Sequence, residues 1–264
     1  PGLEANDEVI LEIKNKDGDL INTISSTSDP KYRRWDGGPP PAAVLSKKKG
    51  LNRFVWDMRH PIMPGVSNAY IEAGFRGHMV PPGSYTLTLK FKENAFVTIA
   101  DIDENPQYET VEGQYKAYDD MMIIMERSLT EMHDKVNMLY AAKKQLTKVI
   151  ANLKANDKNS KLISSGEALI KDLTQWDEDM IQRKSKAYDD VENFPNKFTA
   201  EYIYLINQTE SAIPKVNQAS IDRKAELDAQ WKTLKSRAET LMNSTIPAFN
   251  NQLWDAGIGA IKMD

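Results

Sequence analysis

Residues 115–153 read YKAYDDMMIIMERSLTEMHDKVNMLYAAKKQLTKVIANL. In this stretch Tyr115, Tyr118, Met122, Met125, Leu129, Met132, Val136, Leu139, Leu146, Ile150 and Leu153 recur at alternating steps of three and four, and Lys143 is the single break. Such a row is a heptad seam, which a helix buries against neighbouring helices. The span holds no proline. It therefore predicts one continuous helix of roughly 60–70 Å, at 1.5 Å per residue, packed against at least two others.

Reading outward toward the C-terminus, Asn156-Asp157-Lys158-Asn159 ends this helix. A second run carries Leu162, Leu169, Leu173, Trp176, Met180, Ala187 and Val191, and stops at Asn193-Phe194-Pro195-Asn196. A third covers about Thr199 to Ala212, before Pro214. A fourth carries Leu227, Trp231, Leu234, Ala238 and Leu241, then meets Pro247. Four amphipathic runs with short connections predict an antiparallel bundle with long helices.

Toward the N-terminus the character of the chain changes. Residues 1–106 hold 10 of the 13 prolines and 9 of the 13 glycines. Both residue types punctuate strands and turns and are kept out of helix interiors. Val9, Leu11 and Ile13 alternate with residues expected to face outward, and Lys16-Asp17-Gly18 is a hairpin signal before a returning strand, Leu20 to Ile24. A further strand is expected over Leu51 to Met58, with Phe54, Trp56 and Met58 on one face. Tyr85, Leu87, Leu89 and Phe91 alternate with Thr86, Thr88 and Lys90, and Phe96, Val97 and Ile99 close the set. About six short strands predict a small antiparallel sandwich of Ig-like type. The fold class expected is thus α+β with two domains: an Ig-like β-sandwich over 1–105 and a helical bundle over 106–264.

Composition excludes several functions. The 264 residues carry 38 acidic and 34 basic side chains, a net charge of −4 without a basic excess, so no nucleic-acid partner is expected. Cysteine is absent, which removes disulfides, thiolate metal sites and a cysteine nucleophile. No stretch approaches the ~18 apolar residues of a membrane span, and the first residues show no basic-plus-apolar leader pattern, so a leader is expected upstream of this segment.

The three histidines, His60, His78 and His133, show no HExxH and no short spacing, so no metal site is expected and all three read as surface or loop residues. Asp119-Asp120 and Asp189-Asp190 read as exposed helix positions. Asp101-Ile102-Asp103-Glu104 lacks the frame of a calcium loop. Neither a nucleophile elbow nor a phosphate-binding glycine loop is present. No catalytic residue and no cofactor is expected. What remains is aromatic. Trp35, beside Tyr32, Arg33 and Arg34, and the loop residues Tyr70, Phe75 and Arg76 have the chemistry of binding hot spots. Trp35, Tyr70, Phe75 and Arg76 are the candidate ligand contacts. The alternative is that these side chains seal the sandwich against the bundle or a neighbouring domain.

Gly50-Leu51-Asn52-Arg53-Phe54-Val55-Trp56-Asp57-Met58-Arg59, followed by Val80-Pro81-Pro82-Gly83-Ser84-Tyr85-Thr86-Leu87, resembles a signature near the C-terminus of large bacterial sortilin-type propeller proteins with BNR repeats, often labelled glycosyl hydrolases. The strand–loop–PGxY arrangement is also similar to the Ig-like domain of flagellar-hook capping proteins. The helical stretch with Phe194-Pro195-Asn196-Lys197 looks like the same family's tail. The resemblance implies a β-sandwich in which Trp56 fills the core, Asp57 and Arg59 tie down the loop, and Tyr85 packs beneath the Gly83 turn. It implies an exported protein whose chemistry lies in a propeller outside this chain. The function expected is a non-catalytic C-terminal segment with a structural or protein-interaction role. Its partner would be the N-terminal propeller of the same chain, or a further protein or glycan. The rivals are a carbohydrate-binding accessory module and a hydrolase fragment that contributes residues to the propeller's active site.

Overall fold

The computed structural model of the protein describes residues 7–29, 35–156 and 159–263. Four strands form one antiparallel sheet: β1 (Val9–Lys14), β2 (Leu20–Ser25), β3 (Gly83–Phe91) and β4 (Asn94–Ile102), in the order β2-β1-β3-β4. The β1–β2 hairpin turns where Asp17-Gly18 predicts it. Gly18 takes a left-handed φ of 86°, and the Asn15 side chain accepts the backbone N–H groups of Asp17 and Asp19. Register sets Leu11 opposite Leu89 and Ile13 opposite Leu87, so the alternating apolar residues share one face. That face forms a small core with Ile24, Leu45, Val80 and Tyr85, with Phe54 and Trp56 packed against it.

Residues 51–58 are not a regular strand, contrary to the alternation, and the described strands form a single sheet. The Asn52 amide explains the start of this segment. It accepts from Lys48 N–H and donates to the carbonyls of Lys48 and Gly50, which closes a turn instead of a ladder. Met58 ends the segment with φ 58°. Trp56 is half-buried: its ring meets Tyr85 edge-on at 5.6 Å and its Nε1–H donates to the Arg59 carbonyl.

The helices are α1 (Gln114–Ala155), α2 (Ser160–Met180), α3 (Phe198–Glu210), α4 (Gln218–Thr240) and α5 (Ile246–Asp255). Helix α1 is continuous over 42 residues and buries every seam position from Tyr118 to Leu153. At the break in the seam the neighbouring Ala142 takes the buried place. Lys143 runs its chain outward, its Nζ 5.0 Å from the Tyr140 ring centre and 4.0 Å from Asp177 of α2. Helices α2, α3 and α4 each pack on α1, and α5 packs on α2. Gly166 lets α2 approach α1 closely, because a Cβ there would lie 2.2 Å from Ile150 Cδ1.

Two helix limits differ from the periodicity. Helix α2 stops at Met180, well before Val191, and Ile181 turns to an extended conformation. The reason is an ion pair: the Arg183 guanidinium folds back onto buried Asp177 through two bonds of 2.6 and 2.7 Å. A short 3-10 turn, Tyr188–Glu192, follows. Pro247 does not end the fourth run. A π-helical turn at Leu241–Thr245 widens the backbone so that the chain continues into α5, with the proline, which lacks an N–H, in its first turn. The sequence reading missed this fifth helix, which buries Phe249 and Leu253.

The chain passes from strand to helix between Ile102 and Gln114, where the composition changes. The two cores do not follow that boundary, however. Met63, Val66, Ala69, Ile71 and Phe75, from the loop between the sheet's two halves, belong to the helical core.

Candidate functional site

Beside its apolar seam, α1 carries a second row. Asp119, Glu126 and His133 are spaced by seven residues, and Asn137 lies one turn on. Heptad spacing keeps them on one side of the helix, and each one holds the loop 59–80. Glu126 Oε1 accepts from the backbone N–H of His78 at 2.7 Å and from its Nδ1 at 3.0 Å. His78 Nε2 lies 2.9 Å from Asp119 Oδ1. His133 Nδ1–H donates to the Pro64 carbonyl at 2.7 Å. Asn137 accepts from Ser67 N–H and donates to the Gly65 carbonyl. Helix α3 adds two clasps. Glu210 pairs with Arg59 at 2.9 Å, and the Asn207 amide brackets the peptide groups of Gly74 with two bonds of 2.8 Å. Loop 59–80 is a strap fastened along two helices.

The strap's ends run antiparallel. His60 N–H donates to the His78 carbonyl, Met63 N–H to that of Phe75, and Arg59 bridges Met79. This pairing brings together two histidines 18 residues apart in sequence, with rings stacked at 4.0 Å and tilted by only 14°. Gly77 permits it, since a Cβ there would strike the His60 carbonyl at 2.5 Å. Arg59 also donates to the Gly77 carbonyl at 2.9 Å. Both Nε2 atoms face Asp119 Oδ1, that of His60 at 3.4 Å. The His60 contact is not aligned as a hydrogen bond, so its buried Nε2 has no hydrogen-bond partner. The Tyr118 hydroxyl is likewise buried without one.

Electrostatics follow from this geometry. Burial alone would lower the pKa of His78. Its hydrogen bonds to Asp119 and Glu126, and their charges, overcome that and raise it to about 9. Burial would raise Asp119, but the two imidazoles outweigh it and hold the carboxyl well below the usual carboxylate range. His133 is the opposite case. It is fully buried in an apolar setting, and desolvation lowers it to about 4 despite its bond to Pro64. All three histidines are therefore structural partners of the strap. His78 and His133 are fully buried, and Asp119 is half-buried rather than exposed.

The sequence-predicted contacts fall elsewhere. Trp35 is half-buried, donates its Nε1–H to the Ala69 carbonyl, and lies flat on Gly38 and Gly65. Tyr70 rests on Gly37. Phe75 is in the helical core at 2% exposure, its ring 6.3 Å from that of His133, so it is closed to any ligand. Arg76 stands exposed. Trp35 and Tyr70 thus meet around the Gly37-Gly38 turn, Phe75 points inward, and the four make no shared platform. Tyr32, Arg33 and Arg34 lie outside the described residues. Two open surface grooves, one along Tyr140–Lys148 and one among Asp179, Phe198 and Gln230, include none of the histidine cluster.

The cluster His60–His78–Asp119–Glu126 was missed because its members come from three separate stretches of sequence. The signal that could have found it is the polar heptad row 119–126–133, together with a histidine at each end of one loop. Chemically, the arrangement can share a proton between imidazole and carboxylate or present two imidazole nitrogens and one carboxylate oxygen to a cation. Comparison of the chain with family models, with curated proteins and with solved structures finds no match.

Proposed function

We propose that this chain is the non-catalytic C-terminal segment of a larger exported propeller protein of the sortilin-type, BNR-repeat kind, and that it acts through protein–protein contact. In this reading the sheet and its covering segments stand for the family's Ig-like sandwich, 1–105, and α1–α5 for the bundle, 106–264. The observation that carries the interaction role is strand β4. It stands at one edge of the sheet with no further strand beyond it among the described residues, and eight of its nine residues are exposed. Phe96, Val97 and Ile99 each leave more than 60% of their surface open. An unpaired strand edge with apolar side chains is a template for another chain, which natural proteins normally blunt. The occupant in this reading is the propeller of the same parent protein.

The rival, a carbohydrate-binding accessory module, draws no support from Trp35 and Tyr70, whose rings are laid on glycine backbone within the strap's own packing. The experiment is a titration of the chain against the separately expressed propeller. Val97 and Ile99 lie opposite Thr88 and Thr86 and are exposed, so Val97→Lys with Ile99→Lys leaves the fold intact. Saturable association that the double variant loses supports the reading. Association that survives it, or none at all, overturns it. A glycan array on the chain tests the rival.

A further inference from the structure

The strap stacks His60 on His78 and turns both Nε2 atoms toward Asp119. The three donor atoms lie within 4.8 Å of one another, at a point where two loop ends close on one helix. Zinc binds imidazole nitrogen at about 2.0–2.1 Å and carboxylate oxygen at about 2.0–2.2 Å, so tetrahedral ligands stand about 3.4 Å apart. The two Nε2-to-Oδ1 distances are 3.4 and 2.9 Å, so one is already at that spacing and the other needs an opening of about 0.5 Å.

Three further observations point to a cation. First, His60 Nε2 is buried without a hydrogen-bond partner, and its side chain is only 10% exposed, an orphan nitrogen aimed into the cluster. A buried polar atom of this kind calls for a partner. Second, Glu126 grips His78 through Nδ1, the nitrogen remote from Asp119, and is itself fixed by the His78 backbone N–H. A carboxylate behind an imidazole, fixing its tautomer and ring orientation, is the usual outer support of a metal-bound histidine. Third, Asp119 and Glu126 bring two carboxylates to the two ring nitrogens of His78 in a half-buried site, negative charge that a divalent cation displacing the proton between His78 Nε2 and Asp119 would balance.

We propose that His60 Nε2, His78 Nε2 and Asp119 Oδ1 form a binding site for one divalent transition-metal ion of the zinc class, with Glu126 as the outer carboxylate that orients His78. Two imidazoles with one carboxylate suit zinc and its transition-metal neighbours, not calcium or magnesium, which take oxygen ligands. Three protein ligands leave the fourth position to water. The ion pins the strap's two ends to α1, a structural task independent of the β4 interaction.

The test uses tag-free full chain, stripped with chelator and titrated with Zn2+ alone. Calorimetry and mass spectrometry should show one ion per chain. The melting temperature should rise by about 5 °C at a hundredfold excess over Kd, with no rise for Ca2+ or Mg2+. His60→Phe keeps the stacked ring and removes the nitrogen, and Asp119→Asn removes the carboxylate; both should abolish the one-to-one binding. Glu126→Gln should weaken it by 10- to 100-fold. X-ray absorption at the zinc edge of the wild-type complex should count two imidazoles, a readout that needs no variant to fold. Absence of one-to-one binding by the wild-type chain, binding that His60→Phe leaves unchanged, or a spectrum without imidazole overturns the proposal.

Discussion

His133 makes the stability of the metal-free protein depend on acid in a way that can be calculated. Its Nδ1–H is committed to the Pro64 carbonyl, its Nε2 is buried without a hydrogen-bond partner, and its neighbours are apolar. Adding a proton at Nε2 therefore creates a buried, unsatisfied cation, which is why the pKa falls to about 4 from 6.5. Because the folded pKa lies below the unfolded one, the unfolded chain binds more protons between pH 6.5 and 4. Stability must fall as pH drops through that window. The 2.5-unit gap corresponds to about 3 kcal/mol at 1.36 kcal/mol per unit. Asp119 does not confuse the window. Its folded pKa is depressed, so its contribution holds above the ordinary value of 3.8 and fades only below it. The alkaline side belongs to His78. With a folded pKa of about 9, its contribution is complete below pH 6.5 and is lost as pH rises through 9. The assay is urea unfolding followed by helical circular dichroism from pH 4 to 7, in chelator, for wild type and His133→Met. The variant should lose about 1 kcal/mol at pH 7, with the Pro64 hydrogen bond, but should escape most of the acid slope. Equal slopes in the two proteins would refute the assignment of the acid limb to His133.

Other perturbations have expected outcomes of their own. Asp177→Ala leaves Arg183 without its bidentate partner over the Tyr140 ring; a loss of about 1–2 kcal/mol, checked by denaturant midpoint, follows from removing two charge-assisted hydrogen bonds at a part-buried pair. Gly166→Val should cost about 1–3 kcal/mol by forcing α2 off Ile150 and Phe249, and a melting temperature equal to wild type contradicts that packing. Asn207→Ala removes both bonds to Gly74; it should cost about 1–2 kcal/mol and speed proteolytic cleavage of the strap while leaving β1–β4 intact.

The periodic parts of the chain were legible because period alone determines them. The seam from Tyr118 to Leu153 and the alternation from Tyr85 to Phe91 appear in the structure as α1 and β3. What the pattern missed is where a side chain overrides it. Asp177 with Arg183 ends α2 early, a π-helical turn carries the chain past Pro247, and the Asn52 amide folds a turn at the head of an apparent strand. The strap was the hardest to read. Its apolar residues have no period, since an irregular segment fits a helical surface residue by residue, and its polar anchors lie 41 to 151 positions away in sequence. Trp35 and Phe75 looked available in sequence because burial of an isolated aromatic in a loop depends on what folds over it.

Under the proposed function, β4 is covered by another protein surface in the parent molecule. Amide hydrogen exchange along Asn94–Ile102, compared between the isolated chain and the full-length parent, reads that cover. In the isolated chain every second amide of this edge strand points away from β3 and should exchange as a solvent-exposed group. In the parent these amides should become protected, together with reduced surface labelling near Phe96 and Ile99. Identical exchange along β4 in both forms would contradict it.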